Sequence, residues 1–152
     1  MNQQTFTLTN AIIVDPISNC EELGSLTVTE GHINAVNGVS KGKEIDCEGM
    51  HLAPGIIDMG VKIHEPGERH KESFKSAGES AAAGGVTTIV TRPDTDPPID
   101  TPEILEFFQR RAKVATKVRI LPTAAITKNL KGTEISEMAF LAERGAIAFT
   151  DA

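Results

Sequence analysis

The chain has 152 residues, 39% of them hydrophobic, which is enough for one medium-sized domain with a core, or for two domains if one is small. Its 15 lysines and arginines against 21 aspartates and glutamates give a formal net charge of −6, which disfavours nonspecific binding to nucleic acids or anionic membranes. No apolar run approaches the roughly 20 residues that span a bilayer, and the start, MNQQTFTLTN, lacks the basic and apolar regions of a signal peptide. We therefore expect a cytoplasmic protein without nucleic-acid or membrane partners.

The first fifty residues have the pattern of short β-strands. The runs TFTLTNAIIVD, GSLTVTEGHINAVN and EIDCEGMHLA are rich in β-branched residues, and turn-forming segments such as DPISN and NGVSKGK separate them. Cys20 and Cys47 lie in separate segments without the CxxC spacing of a zinc knuckle. We predict a small, sandwich-like β domain over residues 1–54.

After Pro54-Gly55 the pattern changes to an alternation of strands and helices. Four short apolar runs predict strands, namely IIDMGVK, GVTTIVTRP, VRILPTA and AIAFTD. The segments between them have the length of helices: HKESFKSAGESAAAGG, TPEILEFFQRRAKVAT and TEISEMAFLAERG. This order is typical of βαβ units and a parallel sheet, so we predict an α/β fold for residues 55–152.

The predicted helices carry recognisable end signals. Thr101 is suited to cap the second helix, with Pro102 at its first position, and Gly145 is suited to follow the end of the third. Gly84-Gly85 precedes a strand rather than opening a helix, so we expect it to end the first helix and not to bind a phosphate. An apolar stripe on the second helix predicts packing against the sheet: Ile104, Leu105, Phe108, Ala112 and Ala115.

Polar residues cluster where the first two barrel-type strands end. Ligands of parallel β/α folds bind at the C-terminal ends of the strands. On a strand, residues two positions apart share one face, so the side chains of Asp58 and Lys62 are expected to point to the same side as Gly60. His64 and His70 are separated by six positions, which fits no common metal-ligand pattern. The acidic loop PDTDPPID is expected to be a solvated loop with Asx turns in preference to a cation site.

Four motifs in chain order resemble the dihydroorotase family of the amidohydrolase superfamily: APGIIDMGVKIHEPGERHKES, GGVTTIVTRPDTDPPIDTPE, ILPTAAITKNLKGTEISE and AIAFTDA. The resemblance runs from near Asn10 to Ala152. It implies a partial TIM-type (β/α) barrel of about four parallel strands beside a small N-terminal β domain. Active family members use a zinc centre to activate water, and they hydrolyse and form the cyclic amide of dihydroorotate in pyrimidine synthesis.

The resemblance also implies that the family's site positions are altered here. The His-x-His metal ligands at the end of the first strand are replaced by Gly60 and Lys62, and a metal-binding aspartate by Ala152. The arginine and asparagine that hold the substrate carboxylate are replaced by His64 and Asp94. Glycine has no donor atom, a protonated lysine repels a metal ion, and an aspartate repels a carboxylate.

A sequence that keeps the motifs of the family's fold but has altered site positions resembles the noncatalytic dihydroorotase-like subunits that accompany aspartate transcarbamoylase in some bacteria. The resemblance implies a pseudoenzyme with a structural or regulatory role, without catalytic residues, bound metal or cofactor. The polar groups that remain at the barrel mouth are Asp58, Lys62, His64 and Asp151. The alternative is an active zinc-dependent dihydroorotase, or a related amidohydrolase of cyclic amides, that uses shifted ligands.

The length of the chain adds one expectation. A barrel of this family needs a considerably longer chain, and a half barrel leaves strand edges and apolar faces uncovered. We therefore expect a fragment of a longer protein, or a chain that covers these surfaces by forming homo-oligomers or by binding a partner such as aspartate transcarbamoylase.

Overall fold

The computed structural model describes residues 5–151 and shows two units, Met1–Pro54 and Gly55–Ala152, each with its own sheet. Within residues 5–54 the first contains only strands, turns and irregular segments, and the second alternates strands with helices. The α/β class predicted from the sequence is thus confirmed. No helix in the described part of the chain has both the length and the apolar character needed to cross a membrane.

The first unit is built around one long central strand, β1 (Phe6–Asp15). Strand β2 (Cys20–Thr29) pairs antiparallel with β1, and β3 (His32–Val36) pairs antiparallel with β2. Two short strands, β4 (Lys43–Asp46) and β5 (His51–Leu52), lie parallel to successive parts of β1 on its other side. The β-branched runs predicted as strands are therefore strands of one five-stranded sheet.

The second unit contains a parallel sheet in the order β6-β7-β8, with strands at Ile56–Val61, Val86–Thr91 and Arg119–Pro122. The fourth predicted strand, AIAFTD, is reduced to one parallel bridge between Phe149 and Ala124. The N–H of Ala124 donates to the carbonyl of Ala148 at 3.0 Å, so this run extends the parallel order beyond β8. The expected strand alternation is thus present, with its last member very short.

The helices lie between these strands: α1 at Phe74–Ala83, α2 at Pro102–Ala115 and α3 at Met138–Glu143, with a 3₁₀ turn at Lys128–Leu130. Helix α3 is shorter than predicted, because the residues before it are used in other pairings. Ile135 forms an antiparallel bridge with Thr127, and the N–H of Lys128 donates to the carbonyl of Glu134 at 2.8 Å.

The helix ends follow the sequence signals closely. Ser73 caps α1 in a capping box with Ser76, and Gly84 ends this helix as predicted. Thr101 occupies the N-cap position of α2 before Pro102, but its side chain makes no capping hydrogen bond. Gly145 follows α3 with φ +96°, a conformation that glycine adopts without strain.

The core of the second unit lies between the sheet and its helices. The rings of Phe74 and Phe108 meet edge to face with centroids 4.7 Å apart. The predicted stripe of α2 is confirmed: Leu105, Phe108 and Ala112 are buried, while Ile104 and Ala115 pack at the margin of the core.

Candidate functional site

A β-bulge at Gly60 determines how the end of β6 presents its side chains. Asp58 pairs with Ile89 and Met59 with Val90, but Val61 pairs with Thr91, so Gly60 is an extra residue. Gly60 has φ +82°, and a Cβ there would meet no atom within 4 Å. The residue is therefore suited to this position by its backbone conformation, not by lack of space.

The bulge overturns one expectation from the strand pattern. Asp58 and Val61 both line a cleft beside Ala77 and Ala81 of α1. Residues three apart share a face because the extra residue shifts the alternation. The prediction that Asp58, Gly60 and Lys62 point together is therefore wrong, since Lys62 follows Val61 and is directed to other partners.

Lys62 takes part in a three-residue ion cluster at the ends of β6 and β7. Its Nζ lies 2.9 Å from Oδ2 of Asp94, and the same oxygen accepts a hydrogen bond from Nη2 of Arg92 at 3.2 Å. The Asp94 side chain is 18% exposed, whereas those of Lys62 and Arg92 are 42% and 38% exposed. One largely buried carboxylate thus joins two cations that reach the surface.

The cluster leaves some hydrogen-bonding capacity unused. Oδ1 of Asp94, Nε of Arg92 and Oγ1 of Thr91 are buried and have no hydrogen-bond partner among the described residues. A buried polar atom without a partner costs about 1–3 kcal/mol. All the buried side-chain polar atoms without a partner in the described part of the chain lie at or just after the end of β7, and such atoms call for an explanation beyond stability.

The residues at this site do not fit a zinc ion. Gly60 provides no donor, and the ammonium group of Lys62 is already paired with Asp94. Among residues 5–151, no group of three or more histidine, cysteine, aspartate or glutamate side chains is arranged to hold a metal. Ala152, the third position where the resemblance implies a replaced ligand, lies outside the described residues.

His64 is engaged within its own loop. Its Nδ1 lies 3.1 Å from Oε2 of Glu68, and Lys71 bonds the other oxygen of the same carboxylate. The hydrogen bond from Lys71, followed by that from His64, holds the pKa of Glu68 below its usual value. His70 is exposed and forms no metal group with His64.

Asp151 is likewise occupied by local partners. Oδ2 accepts a hydrogen bond from Oγ1 of Thr127 at 2.6 Å, and Oδ1 accepts one from the N–H of the same residue at 2.9 Å. These bonds, the side-chain one first, lower the pKa of Asp151. Of the four polar groups expected at the barrel mouth, Lys62, His64 and Asp151 thus have separate partners, Asp58 lines the cleft beside α1, and only Lys62 belongs to the ion cluster.

Glu65 is a central residue of this loop that the sequence analysis missed. The residue is only 5% exposed. Its Oε1 accepts a hydrogen bond from Nη2 of Arg111 at 2.8 Å, and its Oε2 accepts one from the N–H of Phe74 at 3.0 Å. Burial raises the pKa of Glu65, but the bonds from Arg111 and Phe74 outweigh it and leave the pKa below its usual value. The available signal was an acidic residue two positions after the apolar Ile63, on the same side of an extended chain.

The acidic loop after β7 is a structured turn. Oδ2 of Asp100 accepts a hydrogen bond from the N–H of Asn129 at 2.8 Å, and Asp100 is 7% exposed. Thr95 closes the turn by donating to the carbonyl of Pro97 at 2.7 Å. Asp94 faces the cations Lys62 and Arg92. The loop thus positions Asp94 and contacts the 3₁₀ segment.

The sequence of the chain is similar to those of known proteins. Residues 49–152 match the family model described as Dihydro-orotase-like. The dihydroorotase of Aquifex aeolicus is 38% identical over 145 residues, which cover 93% of this chain and 34% of that protein. A dihydroorotase-like protein of Pseudomonas aeruginosa is 34% identical over 151 residues, or 97% of this chain and 36% of that protein.

Solved structures show the same architecture. The L-hydantoinase of Arthrobacter aurescens has a TM-score of 0.80 at 26% identity, covering 94% of this chain and 32% of the hydantoinase. A D-hydantoinase with 20% identity and a TM-score of 0.70 shares the fold. These similarities confirm the predicted partial barrel and N-terminal β unit. The chain spans about a third of the length of the curated relatives it matches.

Proposed function

Because the chain belongs to the dihydroorotase-like family, we propose that it is a catalytically silent member of that family with a structural or regulatory role in pyrimidine biosynthesis. The proposal rests chiefly on the ion cluster of Lys62, Arg92 and Asp94. In this cluster a lysine stands at a metal-ligand position, and its charge is neutralised by the residue at a substrate-binding position.

At the matched positions, the residues that the resemblance implies for metal binding and for carboxylate binding are replaced. Zinc-assisted hydrolysis requires ligands that hold the ion and leave one position for water, and neither Gly60 nor Lys62 meets this need. Binding of a substrate carboxylate requires donors, and Asp94 presents a negative charge instead. His64 cannot form the bidentate contact that an arginine makes, and it already contacts Glu68.

The proposed partner is a protein of the aspartate transcarbamoylase type, with self-association as the alternative way to cover the open sheet. The choice of partner is supported by the resemblance to noncatalytic subunits that accompany this enzyme. It is also supported by the combination of the family's fold with an altered site. Obligate partners cover large apolar surfaces, and here Ile57 and Met59 of β6 are 62% and 73% exposed.

The decisive experiment measures metal content and turnover on one preparation. The purified protein is analysed for zinc by elemental analysis and assayed with dihydroorotate and with carbamoyl aspartate. We expect zinc far below one ion per chain, no turnover, and co-purification with the transcarbamoylase. Stoichiometric zinc that is needed for turnover would contradict the proposal and support an active amidohydrolase with shifted ligands, the activity named for the Aquifex aeolicus relative.

A further inference from the structure

A cleft follows the C-terminal end of α2, near the start of β8 and away from the ion cluster. It consists of two adjoining grooves of about 400 Å³ and 380 Å³ that share Thr116 and Lys117. One groove lies between α1 and α2, which approach so closely that a Cβ at Gly78 would lie 1.8 Å from Oγ1 of Thr116. We name the two grooves together the basic cleft.

Positive charge dominates the basic cleft. Its charged lining residues are four cations and a single acid: Lys75, Lys113, Lys117, Arg119 and Glu79. Lys75 lies 3.9 Å from Glu79, whereas the other three cations are exposed and form no ion pair with any residue of the described range. This concentration is unexpected in a chain whose formal net charge is −6.

A favourable interaction with a helix dipole explains the position of only one of these cations. Lys113 lies in the last turn of α2, where a positive charge is favourable to the helix dipole. Lys117 and Arg119 lie beyond the end of this helix, and Lys75 lies in the first turn of α1, where a positive charge is unfavourable. Lys117 and Arg119 therefore have no evident role in the stability of the helices, and Lys75 contributes only through its exposed pair with Glu79.

The shape and lining of the basic cleft favour an extended ligand. The three unpaired cations, Lys113, Lys117 and Arg119, line the second groove, and Lys117 also lines the first, so a ligand that contacts them and the first groove extends along both. Val114 lies in the same cleft and is 83% exposed, and Ala82 and Ala115 add further apolar surface. A chain segment that alternates acidic and aliphatic side chains would match both features.

We propose that the basic cleft is the docking site for an acidic segment of a partner protein. The inference deepens the proposed function, because the partner in question is the transcarbamoylase-type protein, and it rests on that function for the identity of the partner only. The complementarity of charge would speed association and select against basic partners.

Peptide binding tests the docking site directly. The probe is a short fluorescein-labelled peptide of aspartate, glutamate and leucine, and its binding to the purified protein is followed by fluorescence anisotropy. We expect the double variant K113E/K117E to bind at least about tenfold more weakly, because each reversal replaces an attraction by a repulsion. Binding to the unchanged protein should weaken as salt is added.

The matched control is K41E/K43E in the first unit, which reverses two exposed lysines that form no ion pair among the described residues. It changes the net charge equally and should leave peptide binding within about twofold of the unchanged protein. Equal loss in both variants, or binding of inorganic polyphosphate but not of the peptide, would overturn the inference. Thermal melting by circular dichroism confirms that both variants are folded.

Co-purification separates this inference from the proposed function. If the unchanged protein retains the transcarbamoylase and K113E/K117E does not, the inference is supported. Retention by both proteins would overturn the docking site while leaving the proposed function intact. If neither retains the enzyme but the peptide still binds to the cleft, the docking site stands and the choice of partner is wrong.

Discussion

The two units of this chain are stabilised in different ways. In the second unit, large side chains such as Phe74, Phe108 and Leu105 are fully buried between the sheet and its helices. In the described part of the first unit, the only buried hydrophobic residue is Ala11, and Leu23 is 68% exposed. The second unit therefore depends on packing, whereas the first depends on the hydrogen-bonded pairing of its strands.

The largest effect is expected from removal of an aromatic side chain of the second unit. Phe108→Ala should lower the free energy of unfolding by about 3–5 kcal/mol, because the ring is fully buried and contacts Phe74. Urea titration followed by circular dichroism measures this change. The matched truncation Leu23→Ala in the first unit should cost less than about 0.5 kcal/mol. Similar losses in both variants would refute the contrast between the units.

The next effect concerns the buried carboxylate of the second unit. Glu65→Gln removes the charge that faces Arg111 and weakens the bond from the N–H of Phe74, and should cost about 2 kcal/mol. The control is Glu79→Gln, because the exposed side chain of Glu79 only faces Lys75 at 3.9 Å and should contribute almost nothing. An equal change in the two variants would exclude a special role for Glu65.

The pH dependence of stability provides a second measurement on Glu65. Its pKa is lower in the folded chain than the value of about 4.3 in an unfolded one, so its contribution is complete above that value and is lost as the pH falls through the folded pKa. The melting temperature of the unchanged protein should therefore fall more steeply below about pH 5 than that of Glu65→Gln. Parallel curves would assign the acid sensitivity to other carboxylates.

In the first unit, a buried hydroxyl group should matter more than any exposed apolar side chain. Oγ1 of Thr7 donates to the carbonyl of Lys41 and accepts from its N–H, both at 2.9 Å, and lies 3.0 Å from Oγ1 of Thr27. Thr7→Val keeps the shape but removes these bonds, at a cost of about 1–2 kcal/mol. Hydrogen exchange of the β1 amides should accelerate in this variant, while the amides of β7 should not change.

The smallest effect is expected at the ion cluster. Lys62→Met and Asp94→Asn should each cost about 1 kcal/mol, because the pair is only partly buried. A double-mutant cycle should give a coupling energy of similar size. Coupling near zero would mean that the two charges do not interact in solution.

Much of the fold follows from local sequence signals. The order of strands and helices, the buried stripe of α2 and the end of α3 at Gly145 depend on neighbours in sequence, and all were predicted correctly. The start of α3 was not, because Ile135 pairs with Thr127 and that pairing takes precedence over helical tendency. The extra residue at Gly60 was missed for a similar reason, since a bulge is defined by the partner strand.

The sequence indicated several residues of the candidate site but not the contacts that they make with one another. The resemblance to the family implies that Gly60, Lys62 and Asp94 are altered positions, which stays a prediction. It did not indicate that Lys62 pairs with Asp94, or that Asp151 bonds to Thr127, because these contacts join residues distant in sequence. The role of Glu65 depends in the same way on Arg111, which lies 46 positions later.

The bulge at Gly60 also restricts which residues this position can accept. A histidine at this position would need to adopt φ near +82°, which costs a residue with a side chain about 1–2 kcal/mol before any ion is bound. Gly60→Ala would show this cost as a lower melting temperature, although no atom obstructs the new methyl group. A side chain that could bind a metal ion would therefore fit this position only at that conformational cost or after an adjustment of the backbone.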